Sequence, residues 1–120
     1  MAHYVDGFVL PVVKSRLDEY RRVARKAGKI WREYGALQYV ECIADDVQYG
    51  KRTSFPRSVK LKRGEVVVFA WITYPSRAAR DRIMDKVMKD KRSAAMMNPK
   101  NMPFDGKRMI FGGFKTFISL

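Results

Sequence analysis

The sequence contains one cysteine, Cys42, and one histidine, His3. A lone thiol makes no internal disulfide, and no cysteine/histidine grouping has zinc-site spacing. The chain therefore suits a reducing cytoplasm, and no metal or other cofactor is expected. A haem ligand or imidazole base would rest on His3 alone. Long apolar runs are also missing: no stretch approaches the roughly 20 residues of a membrane span. The run from Phe8 to Val13 is too short and too lightly flanked by positive charge for a signal peptide, and Asp6 sits beside it. No membrane association is expected.

Acidic residues are scarce, 12 against 25 lysines and arginines, for a net charge of +13. Such a charge attracts nucleic acid and anionic surfaces without selectivity. The basic residues alternate with acids along both predicted helices, which reads as a solvated surface. Glu65 to Ile72 also lacks the basic, glycine-aromatic pattern of an RNA-reading strand. No specific nucleic-acid partner is expected, and a basic module with nonspecific nucleic-acid association stays open as an alternative. Dinucleotide and P-loop glycine motifs, a His-Glu-x-x-His helix, a Gly-x-Ser-x-Gly elbow, internal repeats and low-complexity segments are all absent.

What is present fits one domain over residues 1–120, with 47% hydrophobic residues to fill its core. Tyr4 to Val12 reads as a strand with Pro11 near its end, and Gly7 marks a bulge or a close backbone approach. Ser15 to Asp18 has the form of a capping box. The following helix places Leu17, Tyr20, Ala24, Ala27, Trp31 and Tyr34 on one face and Arg21, Arg25, Lys29 and Arg32 on another, and Gly35 stops it. Gln38 to Ala44 is a second strand. The polar stretch from Val47 to Gly64 is expected to hold a short irregular strand over Arg57 to Leu61. Glu65 to Tyr74 is the strongest strand, apolar at both parities and so buried on both faces. After Pro75, Ser76 caps a helix with Ala79, Ile83, Met84, Val87 and Met88 inward and Arg77, Arg80, Asp81, Arg82, Asp85, Lys86 and Lys89 outward. Ser93 caps a further turn through Met97, ended by Pro99. Arg108 to Ile118 is the last strand, whose paired Gly112 and Gly113 need something packed closely over them. This order, βαββαβ, is a ferredoxin-like α+β arrangement.

Three side chains stand out chemically. Asp6 falls on a central strand, where an ionised carboxylate needs a partner; matching the first and last strands puts Lys115 opposite or nearly opposite it, so an ion pair is expected ahead of a catalytic base. Glu41 is the second carboxylate of interest, with a solvent-facing position as the default. Cys42, in a strand, is expected to be buried and inert.

The segments Tyr4-Val-Asp-Gly-Phe-Val-Leu-Pro11, Lys29-Ile-Trp-Arg-Glu-Tyr-Gly35, Tyr39-Val-Glu-Cys42, Thr53-Ser-Phe-Pro-Arg57 and Asn98 to Phe114 together resemble the YbaA-like family of uncharacterised bacterial proteins. The resemblance implies a dimeric α/β barrel, in which the sheets of two protomers face one another. The superfamily also holds cofactor-free monooxygenases and haem-degrading enzymes, although fold kinship does not transfer chemistry. A homodimer with a small-molecule pocket in each protomer is therefore expected, between the helices and their own sheet near the Met97 to Phe104 loop. Tyr34, Tyr39 and Trp71 are its expected walls. Met97, Asn98, Asn101 and Phe104 border it, and Asp6 or Glu41 supplies polar groups. The ligand is a small apolar or aromatic molecule; the enzymatic alternative is a cofactor-independent, monooxygenase-like or isomerase-like reaction using those carboxylates as acid or base.

Overall fold

The computed structural model describes residues 3–96, 98, 100 and 102–120. Strand β1 (Tyr4–Val13) leads through a 3-10 turn into helix α1 (Leu17–Glu33), followed by strand β2 (Gln38–Ile43), a single helical turn α2 (Phe55–Ser58) and strand β3 (Glu65–Tyr74). Helices α3 (Arg77–Lys89) and α4 (Lys91–Met96) precede strand β4 (Ile110–Lys115). The four strands form one antiparallel sheet in the order β2-β3-β1-β4, the ferredoxin-like arrangement. Among the described residues, no helix is long and apolar enough to cross a membrane.

Strand parity divides the sheet into two unlike faces. Leu10, Val12, Val68, Ile72 and Tyr74 point toward the helices and are buried, packed against Tyr20, Ile30 and Trp31 of α1 and Ile83 and Val87 of α3. The opposite face is sheltered only at one end, where Val59 and Leu61 pack on Val9 and Val67. Elsewhere it presents Phe69, Ile110 and Phe114, which are 44%, 45% and 63% exposed. β3 is therefore buried along its helix side and, on the other face, at Val67, while Cys42 is exposed rather than buried.

Local departures from the sequence reading have identifiable causes. Ser15 does not cap α1: the 3-10 turn starts at Lys14, placing Ser15 inside it and leaving Arg16 at the helix boundary without a side-chain cap. Gly35 does end α1, at φ +115°, a left-handed conformation open to glycine. The strand expected over Arg57 to Leu61 is instead α2 and its exit: Ser54 Oγ accepts from Arg57 N (3.2 Å), and Pro56 occupies the first turn, where its missing N–H is harmless. Ser93 lies within α4, whose start is capped by Asp90 accepting from Arg92 N (2.8 Å). Met88, expected inward, is 48% exposed. β1 runs through Gly7 in unbroken register, so there is no bulge; the Phe114 ring lies 3.7 Å from where a Gly7 Cβ would stand. β4 starts later than predicted because Gly106–Arg108 form a 3-10 turn before it, and it ends at Lys115 rather than Ile118. Gly113 does carry a close neighbour, the ring of Tyr4.

A candidate small-molecule site between helices and sheet

A partly enclosed cavity of about 560 Å³ lies between α1, α3, α4 and the helix side of the sheet. Its lining is predominantly apolar, with Phe8, Leu10, Ala24, Ala27, Met84 and Met96 among the walls and Phe104 near the β1 end. The Phe104 ring meets Tyr20 edge-on at 5.8 Å, and its backbone bridges to Val12, which anchors that loop to β1. The lining includes three polar centres, Ser93, Asp6 and Glu41. Ser93 Oγ, on a residue 4% exposed, has no hydrogen-bond partner among the described residues. An unpaired buried hydroxyl costs free energy unless something else meets it.

The second centre is Asp6, 3% exposed. Its Oδ2 accepts from Tyr74 Oη (2.8 Å) and its Oδ1 from Arg80 Nη1 (2.9 Å). Arg80 Nε donates to Asp81 and Nη2 to Tyr4 Oη at 3.3 Å, while the guanidinium lies 4.9 Å from the centre of the Tyr4 ring. Burial raises the Asp6 pKa, and the Tyr74 hydroxyl and Arg80 charge oppose that rise. The charge at this end is matched within the protein.

Glu41 is the third centre. Alternation along β2 turns Tyr39 and Glu41 together toward α1, and Tyr20, one turn into that helix, reaches down to meet them. Tyr20 Oη donates to Glu41 Oε1 and Tyr39 Oη to Oε2 (2.9 Å). Burial raises the Glu41 pKa against the pull of these two hydroxyls, and burial, then the neighbouring carboxylate, raises both tyrosines. Tyr39 is seated by Gly28, where an added Cβ would stand 2.6 Å from its ring. The three hydrogen-bonded side chains form a partition: Tyr20, Ala24, Tyr39 and Glu41 border both the cavity and an open groove outside it, lined by Arg21, Arg25, Lys29 and Arg32.

Residues 3–106 match a family described as protein of unknown function, DUF1428. The chain belongs to the DUF1428 family. It is 50% identical over 115 residues to the uncharacterized protein YbaA of Escherichia coli K12 and equally to that of Shigella flexneri, covering 96% of this chain and 97% of each relative. Among solved structures it is similar to SnoaB, described as a cofactor-independent oxygenase from Streptomyces nogalater, with TM-score 0.58 and 12% identity over 99% of this chain and 95% of that one. A NIPSNAP family protein from Agrobacterium tumefaciens aligns with TM-score 0.57 and 15% identity over 98% and 93% of the two chains. A dimeric ferredoxin-like protein from an uncultured marine organism aligns with TM-score 0.54 and 9% identity over 100% and 98%. At these identities the likeness concerns the fold.

In this DUF1428 protein the residues singled out from sequence separate into groups. Asp6, Tyr39, Glu41 and Phe104 border the cavity. Trp71 borders it along the strand, but its ring lies on the other sheet face against Phe69, 5.6 Å away, with Nε1 donating to Gln38; odd positions of β3 point away from the helices. Tyr34 donates to Asp90 (2.7 Å) at the end of α1 and is not part of the lining. Asn98 is exposed and accepts from Lys100 N (3.1 Å). Met97 and Asn101 lie outside the described residues. Asp6 does not face Lys115, because the β1–β4 register pairs Asp6 with Gly113 and Tyr4 with Lys115. Its cation is Arg80, expected outward yet only 15% exposed at the side chain. Arg80 precedes Ile83 by three and Met84 by four, so helical spacing alone carried the signal that its charge obscured. Glu41, expected toward solvent, is half-buried. Tyr20 was legible only as an apolar-face residue and Ser93 only as a helix cap, and nothing local marked Gly28.

Proposed function

We propose that this DUF1428 protein is a cytoplasmic, single-domain homodimer that binds one small apolar or aromatic molecule in the helix–sheet cavity of each protomer. The observation that carries the reading is the combination of about 560 Å³ of mainly apolar space with Ser93 in its lining, a residue whose buried hydroxyl has no hydrogen-bond partner among the described residues. Binding sites pair apolar walls with a few polar groups that fix orientation, and Asp6 and Glu41 complete such a set. The dimer is supported by the uncovered aromatic sheet face, where a second copy would bury Phe69 and Phe114. Specific recognition of nucleic acid is not part of this function.

The test is a thermal-shift screen of small aromatic and conjugated carbonyl compounds against the wild type and an Ala27→Leu variant, which fills the cavity from α1. Stabilisation of the wild type by one compound class, lost in a folded Ala27→Leu protein, is expected. A screen in which no compound shifts the wild type, or in which Ala27→Leu responds equally, overturns the cavity reading.

A further inference from the structure

Two carboxylates face the same cavity and differ in how their charge is met. Asp6 is paired with Arg80. Glu41 receives two tyrosine hydroxyls, and among the described residues no ion pair reaches it. Asp6 lies opposite Ile72 and Glu41 opposite Ala70, on the strands flanking β3. Two strand spacings of about 4.8 Å and two rises of about 3.4 Å then separate their Cα atoms by about 12 Å. A flat molecule of one or two rings lying on Ala70 and Ile72 would therefore have Glu41 at one end and the neutralised Asp6–Arg80 pair at the other.

We propose that Glu41 is a proton acceptor for the molecule held in this cavity, and that the substrate class is a small planar carbonyl compound with an acidic C–H beside the carbonyl. The inference rests on the cavity reading above. In the step, the C–H bond breaks, its proton passes to a Glu41 carboxylate oxygen, and the electron pair moves into the substrate to give an enolate. Where the substrate carries a carbon–carbon double bond β,γ to the carbonyl, the enolate is a dienolate, and return of that proton to its γ carbon moves the double bond into conjugation and completes an isomerisation, with no redox change and no co-reactant. Ser93, whose hydroxyl has no hydrogen-bond partner among the described residues, lines the same space.

The geometry suits this task in three respects. A carboxylate without a cation in apolar surroundings is a stronger base than one held by arginine. The hydroxyls of Tyr20 and Tyr39 fix both oxygens, so the acceptor is pre-oriented. Glu41 also borders the outer groove, which gives its proton a route to solvent that bypasses the bound molecule. The titratable and charged groups around it are Tyr20, Arg21 and Arg25 on α1, Tyr39 on β2, and Asp6 with Arg80 across the cavity; β3 places only Val68 and Ala70 alongside.

The probe is 5-nitrobenzisoxazole, a flat aromatic whose ring C–H is removed by a desolvated carboxylate. The electron pair forms the nitrile as the N–O bond breaks, and the coloured 2-cyano-4-nitrophenolate reports turnover. Expected are saturable turnover by the wild type and a rate that rises with pH through a midpoint above the ordinary carboxylate range. Glu41→Gln should lose about a hundredfold or more of the rate while still binding the probe. Tyr20→Phe and Tyr39→Phe each remove a bond that favours the carboxylate, so each should move the midpoint to higher pH; a purely structural role would lower the rate without moving it. Saturable binding without turnover, or turnover unchanged in Glu41→Gln, overturns the assignment of Glu41 and leaves the cavity reading standing. Absence of saturable binding overturns both. Thermal unfolding of each variant identifies misfolding, and the two phenylalanine variants decide the matter if Glu41→Gln does not fold.

Discussion

Gly28 occupies the middle of α1, where glycine costs about 0.5–1 kcal/mol relative to alanine. The structure supplies the compensating reason: the Tyr39 ring fills the space a Cβ would take, at 2.6 Å. Gly28→Ala should gain helix propensity and still lose about 1–3 kcal/mol overall, because the ring must leave a filled position. Urea unfolding measures the loss, and the same variant should move the Glu41 midpoint upward as Tyr39→Phe does. An alanine that stabilises the protein and leaves the midpoint in place would show that the ring has room to shift. Asp6 illustrates the limit of reading residues singly. Its need for a partner followed from burying a carboxylate, but the partner depended on strand register and helix phase. A difference of two residues in register replaces Lys115 with Gly113 and leaves the ion pair to Arg80.

Arg108 ties separate elements together. It donates to both oxygens of Glu65 at the start of β3 (2.8 and 2.6 Å), to Asp105 (3.0 Å), and to the carbonyls of Val59 and Lys60 behind α2 (3.3 and 3.0 Å). The Arg108 and Glu65 side chains are 13% and 8% exposed, so water does little to replace their contact. Arg108→Ala should cost about 1–3 kcal/mol and loosen the exit from α2, measurable as faster amide exchange at Leu61, whose N–H donates to Pro56. Unchanged exchange at Leu61 would place α2 outside this network. The long elements were legible because their signals are repeated: α1 shows its apolar face over 17 residues, and the ten-residue β3 holds the doubly apolar run from Val66 to Ile72. α2 carries no such signal because four residues hold no period, and its cap Ser54 and its Pro56 lie just before the alternating Arg57 to Leu61 segment.

The whole sheet leaves one face to the helices and the other covered only at the end where Val59 and Leu61 pack. A protomer alone exposes Phe69, Ile110 and Phe114 there, an apolar patch that association would remove from water. Light scattering of the wild type should give twice the chain mass, and Phe69→Glu should give the chain mass with the fold retained; a wild type that stays monomeric across a wide concentration range contradicts the assembly. The ferredoxin-like order was determined by sequence alone, because strand and helix periods, prolines and the glycine after α1 are local properties that survive without knowledge of the partner elements. Local pattern also set the amphipathic face of α1. Which side chains meet was decided only by tertiary structure. Parity and register sent Trp71 to the face away from the helices and Glu41 beneath Tyr20, and helix phase brought Arg80 onto Asp6. A shift of one residue in a strand reverses every side chain's face, so a polar cluster drawn from β1, β2, β3, α1 and α3 has no signature in any one of them.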